Sequence, residues 1–198
     1  GPPGYLGEQI RDGFQLAIAM EGGKLGGVEV EVLVEDDGLK PGNGLQIADK
    51  FMNEDGVKLL TGIVFSNVAG ATVPEIVDNG ALYVSPNAGP SNLAGAECNP
   101  NYFVVSWQND ALHEASGTAA KKLGYTRAVA LAPNYQAGKD AIAGFKREFG
   151  GEVTEIYTAL DQTDFAGEMA QIRAAAPEVV FQFHPGGLGI TFLKQYQQ

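Results

Sequence analysis

Positive charge is scarce in this chain. Thirteen lysines and arginines stand against 24 aspartates and glutamates, a formal charge of −11 over 198 residues. A nucleic-acid partner needs a basic footprint, and none is visible, so that class is set aside. Long apolar runs are missing as well: stretches such as Val179-Val180-Phe181 are far too short to cross a bilayer. The one cysteine, Cys98, has no mate for an internal disulfide and no companions for a metal cluster. There are two histidines. His113 lies in a polar helical stretch and reads as solvated. His184 ends a strand, and no cysteine or second histidine stands near it in sequence, so neither a metal nor a cofactor is expected.

Catalytic fingerprints are absent too. No Gly-x-x-x-x-Gly-Lys-Ser/Thr loop occurs, and no Gly-x-Ser-x-Gly elbow. Gly186-Gly187-Leu188-Gly189-Ile190-Thr191 sits between strand and helix as a dinucleotide loop would, but the last glycine of that pattern is missing. Asp36-Asp37 before Pro41 fits a phospho-acceptor pocket on paper, and fits a turn better. The expectation is a protein that binds and does not catalyse.

What is present is a foldable composition, 44% hydrophobic and 19% charged. Apolar spacing predicts helices over 7–22, 42–54, 67–78, 110–123, 138–149, 164–175 and from 188 onward. Between them, strands are predicted at 28–32, 57–65, 81–84, 102–105, 127–132, 153–158 and 179–183. Val28-Glu29-Val30-Glu31-Val32 alternates strictly and reads as an edge strand with one wet face. Strands and helices alternating at about thirty-residue spacing imply βαβ units, hence parallel sheets flanked by helices. The break at Ser106-Trp107-Gln108-Asn109 divides them into a first α/β lobe at 1–107 and a second at 108–198. Trp107, the only tryptophan, falls at that crossing and is either a residue of the crossing or a core aromatic. Both chain ends look cut, so the lack of a leader says nothing about compartment.

Ligands of open parallel sheets bind beyond the carboxyl ends of the strands. Four loops lie there: Phe65-Ser66-Asn67, Ser85 to Ser91, Pro133-Asn134-Tyr135, and His184-Pro185-Gly186-Gly187. With the lobes face to face, all four would converge on one cleft. The first two loops carry no charge and many hydroxyl, amide and glycine groups. Ser66 and Asn67 are residue types that cap helices, and a cap is the plainer reading; the functional one is that they hold a carboxylate at the helix N-terminus. Asn87, Ala88 and Gly89 can donate backbone N–H groups, or simply form a turn between Pro86 and Pro90. Tyr135 can cover a ligand with its ring or sit as a rim aromatic.

The order and spacing of these segments resemble one known family. They are Gly1 to Gly7 opening the first helix, Asp36-Asp37 with Pro41, Gly62 to Ser66, Ser85-Pro86-Asn87-Ala88, Tyr135 with Gly138, and Asp164-Phe165. Together they look like the type I periplasmic solute-binding proteins of ABC importers, in the leucine/isoleucine/valine-binding branch. The resemblance covers nearly the whole chain. It implies two Rossmann-like lobes that close by hinge motion on one small ligand. It also implies that the family's first strand and much of the second lobe lie outside these residues, so that the fold here is either incomplete or compensated by another chain. The expected role is the extracytoplasmic solute-binding component of an importer, a monomer at full length, partnered by a membrane permease.

Matched by position, Ser66 is where the family binds the ligand carboxylate, and Ala88 and Gly89 are where it does so through backbone groups. Tyr135 is where a cleft tyrosine stands. Gly89 occupies a place where threonine is common, Leu6 one where amino-acid binders can carry a tyrosine, and Phe65 one where a smaller residue is usual. Pro185 or Gly186 replaces a second cleft tyrosine. These departures count against a branched-chain amino acid. The runs Ser85 to Ser91, Ser106 to Asp110 and Pro185 to Gly187 look closer to importers of aromatic or other organic carboxylates. The alternative is the same fold serving as the ligand-sensing part of a receptor or an amide-responsive regulator.

Overall fold

Regular succession of two-residue and 3.6-residue apolar periods builds strands and helices in alternation. The computed structural model describes residues 4–197. They form two compact units, one of 4–87 with 99–106, the other of 88–98 with 107–197.

In the first unit, α1 (Gly4–Met20) leads into a small antiparallel hairpin of β1 (Lys24–Leu25) and β2 (Val28–Glu29). There follow α2 (Pro41–Asn53), β3 (Leu59–Thr61), α3 (Ser66–Asp78), β4 (Leu82–Ser85) and β5 (Tyr102–Val104). The last three strands form a parallel sheet in the order β3-β4-β5, with Leu60 opposite Tyr83 and Val84 opposite Phe103. On α3 the residues Val68, Ala69, Thr72, Val73, Ile76 and Val77 are buried, the stripe that helical spacing requires of a core-facing helix. Gly44 lets α2 lie close to it: a Cβ there would stand 2.7 Å from Val68 Cγ1 and 2.8 Å from Thr72 Oγ1.

The strand expected at 28–32 shrinks to Val28–Glu29. An alternating sequence becomes a strand only where a neighbour accepts its ladder. Among the described residues Lys24–Leu25 pairs with Val28–Glu29 alone, and 30–36 has no regular secondary structure, with Val30, Leu33 and Val34 exposed. For the same reason α1 contributes no buried residue.

In the second unit, a 3₁₀ turn at Ser91–Ala94 and α4 (Asn109–Lys122) precede β6 (Arg127–Pro133), α5 (Gln136–Phe149) and β7 (Glu152–Thr158). Then come α6 (Ala166–Ala175), β8 (Val179–Gln182) and α7 (Gly187–Tyr196). The strands make a parallel sheet in the order β7-β6-β8. Central β6 is buried from Ala128 to Pro133, as a strand covered on both faces must be. Its even residues, Ala128, Ala130 and Ala132, pack with Ile142, Phe145 and Phe149 of α5. Its odd residues, Val129 and Leu131, pack with Phe165, with Met169 and Ile172 of α6, and with Phe192 of α7. Small side chains on one face and large ones on the other let α5 settle close to the sheet.

Close approach is sharper still between α4 and α5. A Cβ on Gly117 would collide with the Phe145 carbonyl oxygen, and one on Gly144 with that of Asp110. Backbone cannot yield as a side-chain tip can, so Gly144→Ala should lower unfolding free energy by about 1–3 kcal/mol. Gly167→Ala on α6, where nothing lies within 4 Å, should raise it by about 0.5–1 kcal/mol. Urea denaturation of the two variants checks the contrast, and equal midpoints would contradict the packing described.

Candidate functional site

In the first unit the loops after β3 and β4 are tied together. Phe65, extended at φ −102° and ψ 133°, stands immediately before α3 and makes no side-chain cap. Its carbonyl accepts the N–H groups of Val68 at 3.1 Å and Ala69 at 3.0 Å. Ser66 is therefore the first residue of the helix and not its cap, which corrects the capping expectation for Ser66 and Asn67. Ser66 is 2% exposed, and Asn67 Oδ1 is buried with no hydrogen-bond partner. Asn87 commits its amide to the scaffold, Nδ2 donating to the Val64 carbonyl at 2.8 Å. Its own carbonyl accepts from Ser106 Oγ at 3.2 Å.

Beneath these loops Tyr83 is fully buried, and its hydroxyl accepts the Ile63 N–H at 3.0 Å. Burial pushes Tyr83 well above the ordinary phenol value and Tyr102 up to about 12, and both hydroxyls bond to Ser85. A neutral hydroxyl network thus supports the loop ends. The first turn of α1 touches the same region, since a Cβ on Gly7 would meet Val64 Cγ2 at 3.8 Å. Leu6 beside it is half-buried. The first unit so gathers Leu6, Phe65, Ser66, Asn67 and Asn87 around the 62–67 loop.

The second unit holds the rest. Ala88 and Gly89 are buried, and the Gly89 carbonyl accepts the Asn109 N–H at 2.9 Å. A Cβ on Gly89 would strike the Trp107 carbonyl oxygen, so the turn has no room for a threonine. Trp107 itself is exposed and is no core aromatic. Tyr135 is buried immediately before α5, its ring stacked on Phe183 with centroids 6.5 Å apart. Burial raises the Tyr135 hydroxyl, with the Asp140 charge adding to it, so it stays a neutral donor. His113 meets Phe183 edge-on at 4.9 Å and Phe181 at 5.5 Å. It is half-buried and held below the ordinary imidazole value by burial, which corrects the expectation of a solvated ring.

Past β8, Pro185 and Gly186 are half-buried, and Gly186 takes φ 57° and ψ −133°, a conformation open to glycine. Gly189 tucks against the His184 carbonyl oxygen, 2.6 Å from where its Cβ would be, so this last glycine serves packing. His184 is 8% exposed, stacked on Phe192 at 5.0 Å and edge-on to Phe165 at 5.4 Å. Its Nδ1 lies 2.9 Å from Gln182 Oε1 and its Nε2 3.3 Å from Thr158 Oγ1. A neutral ring with its proton on Nδ1 satisfies both partners. Asp36 and Asp37 accept the N–H groups of Gly38 and Leu39, which makes the pair a turn. Among the described residues no three histidine, cysteine or acidic side chains gather as a metal site would require.

Sequence reasoning missed the groups that hold the 88–91 turn: Asn109, Asp110, Asp140 and Arg147. The available signal was Asp140 itself, an acid on the apolar face of α5 one turn before Gly144.

The chain matches the periplasmic binding protein family over residues 1–198. It is 28% identical over 202 residues to the Leu/Ile/Val-binding protein homolog 6 of Brucella melitensis, covering 99% of this chain and 51% of that protein. Among solved structures, it is similar to an ABC transporter solute-binding protein of R. palustris in complex with benzoate. The two share 34% identity at a TM-score of 0.93, over 99% of this chain and 56% of the other. A second R. palustris solute-binding protein, in complex with 4-hydroxybenzoate, is 27% identical at a TM-score of 0.88, over 100% of this chain and 55% of the other. The chain therefore spans about half the length of these relatives.

The buried imidazole generates a pH prediction. Burial lowers His184 to about 4, outweighing the opposing charge of Glu168, while an unfolded histidine titrates near about 6.5. The unfolded chain then binds the proton first as pH falls. Stability is full above pH of about 6.5 and is lost progressively toward about 4. Thermal midpoints measured across that window should fall for the wild type and fall less for His184→Gln. Identical slopes would rule the ring out as the titrating group.

Proposed function

The chain belongs to the type I periplasmic binding proteins of the Leu/Ile/Val-binding branch, and on that premise we propose that it captures a small aromatic carboxylate as the solute-binding part of an ABC importer. The observation that carries this reading is Ser66: a buried hydroxyl in the first turn of α3, inside a loop without charge. The first N–H groups of a helix lack intrahelical partners, and the helix dipole favours an anion there. Hydrogen bonds to a charged group contribute about 1.5–3 kcal/mol each, so three or four offset much of a carboxylate's desolvation without lysine or arginine. Asn67, with its unpartnered buried oxygen, is an acceptor at the same turn. It suits a ligand that brings a donor beside its carboxylate.

Ala88 and Gly89 are the proposed backbone contacts, with Asn87 as their brace to Val64. Tyr135, Pro185 and Gly186 are the proposed contacts of the second unit, Leu6 and Phe65 those that shape the apolar end on the first. An aromatic ligand is favoured over a branched-chain amino acid by the benzoate and 4-hydroxybenzoate held by two related structures. The places where this chain departs from the amino-acid binders point the same way. The protein so read is non-catalytic and periplasmic. Its two units are the two lobes, and it delivers its ligand to a membrane permease.

Ser66→Ala in the intact protein should weaken benzoate binding by about 1–3 kcal/mol, roughly five- to 150-fold in the dissociation constant. Isothermal calorimetry measures it, and an unchanged constant would remove Ser66 from the site.

A further inference from the structure

One carboxylate in the second unit is buried without an obvious structural return. Asp140, on α5, is 7% exposed. Its Oδ2 accepts the Ser91 N–H at 3.1 Å and Asn109 Nδ2 at 3.0 Å, and its Oδ1 accepts Gln136 Nε2 at 2.8 Å. None of these donors is a cation. A buried carboxylate held by neutral groups alone is costly to desolvate, and an apolar side chain would fill the same space at less cost. What it gains is geometry, because its three donors come from three segments. Ser91 closes the 88–91 turn, Asn109 opens α4, and Gln136 follows Tyr135 at the start of α5.

The turn is gripped a second time beside the first. Ser91 Oγ accepts the Asp110 N–H at 3.2 Å. Asp110 in turn accepts from Arg147 Nη2 at 2.8 Å and from the Ala111 N–H at 2.9 Å. Burial raises that carboxyl, but the bonds from Arg147, Ser91 and Ala111 outweigh it and keep Asp110 ionised. Two residues earlier, Gly89 is held by its carbonyl on the Asn109 N–H. Both anchors lie on one side of Ala88, on the residues that follow it.

We propose that Asp140 is a positioning residue of the ligand site, locking the 88–91 turn to the Tyr135–Gln136 turn so that one buried carboxylate sets the spacing of contacts drawn from both. This rests on the reading of Ala88, Gly89 and Tyr135 as ligand contacts. It adds a residue that touches no ligand and has no motif in sequence.

The test uses two variants of the intact protein that weaken or remove the Ser91–Asp140 bond from opposite ends. Asp140→Asn weakens the acceptor. Ser91→Pro removes the donor, and the backbone allows it: Pro90 already has φ −58° and ψ 130°, the extended form preferred before proline, and Ser91 begins a 3₁₀ turn. Ser91→Ala controls for loss of the hydroxyl. Amide hydrogen exchange is followed at Ala88 and Gly89 without ligand, and calorimetry measures the dissociation constant for benzoate. Asp140→Asn and Ser91→Pro should each speed exchange at those amides at least tenfold and weaken benzoate at least tenfold, with the double variant no worse than the single ones. Ser91→Ala should do less. Should Asp140→Asn fail to fold, Ser91→Pro decides alone. Exchange unchanged at Ala88 and Gly89, or an altered thermal midpoint with benzoate affinity intact, overturns the positioning role. Failure of the wild type to bind any carboxylate overturns the ligand reading instead, and exchange still decides whether Asp140 holds the turn.

Discussion

The contact on which the second unit depends is the close seat of α5 on α4. Gly144 presses against the Asp110 carbonyl oxygen and Gly117 against that of Phe145, distances that any side chain would forbid. Residues four before and three after Gly144 share its face of the helix. That face therefore delivers Asp140 to Asn109, and Arg147 to Asp110 and Glu114. Polar bonds at the start of α4 and packing glycines in both helices are one construction. The 88–91 turn hangs from it through Ser91 and Gly89. Loosen the helix pair and the turn loses its anchors, although no strand of the sheet has changed.

The sheets explain why the proposed site needs no charge. Parallel strands place the loops after β3 and β4 at one edge of the first unit, and those after β6 and β8 at one edge of the second. Helices begin at those edges with their N–H groups leading, so an anion placed there would meet aligned dipoles. In the first unit the buried phenol of Tyr83 and the half-buried one of Tyr102 hold the loop ends through Ile63 and Ser85 without bringing charge. In the second, aromatic stacking of Tyr135 on Phe183 and of His184 on Phe192 gives the same edge a rigid apolar floor.

Most of the architecture was legible because it is local. Apolar periodicity located α2 through α7 and the parallel strands to within a few residues, and strand–helix alternation implied the parallel pairing. The failures share one cause, which is information held in a partner. Val28 to Val32 alternate like a strand, yet pairing is a property of two segments, and among the described residues no ladder reaches beyond Glu29. His113 looked solvated from its helical neighbours, while its true surroundings are Phe181 and Phe183, some seventy residues on. The segment 88–98 follows the first sheet in sequence but packs with the second unit, through hydrogen bonds to α4 and α5. Asn87 was readable as a loop amide, and its commitment to Val64 was not. Residue type marked out candidate groups, whereas tertiary bonding decided which of them serve as braces.

The central claim is recognition of a carboxylate by uncharged groups at a helix N-terminus. Calorimetry of the intact protein with benzoate and with benzamide tests it most directly, since the two share ring and shape and differ in charge. Benzoate should bind at least a hundredfold more tightly, about 2.7 kcal/mol, with an affinity that barely changes between low and moderate salt because no surface cation is involved. Equal affinities, or a benzoate constant that weakens steeply with salt, would contradict it.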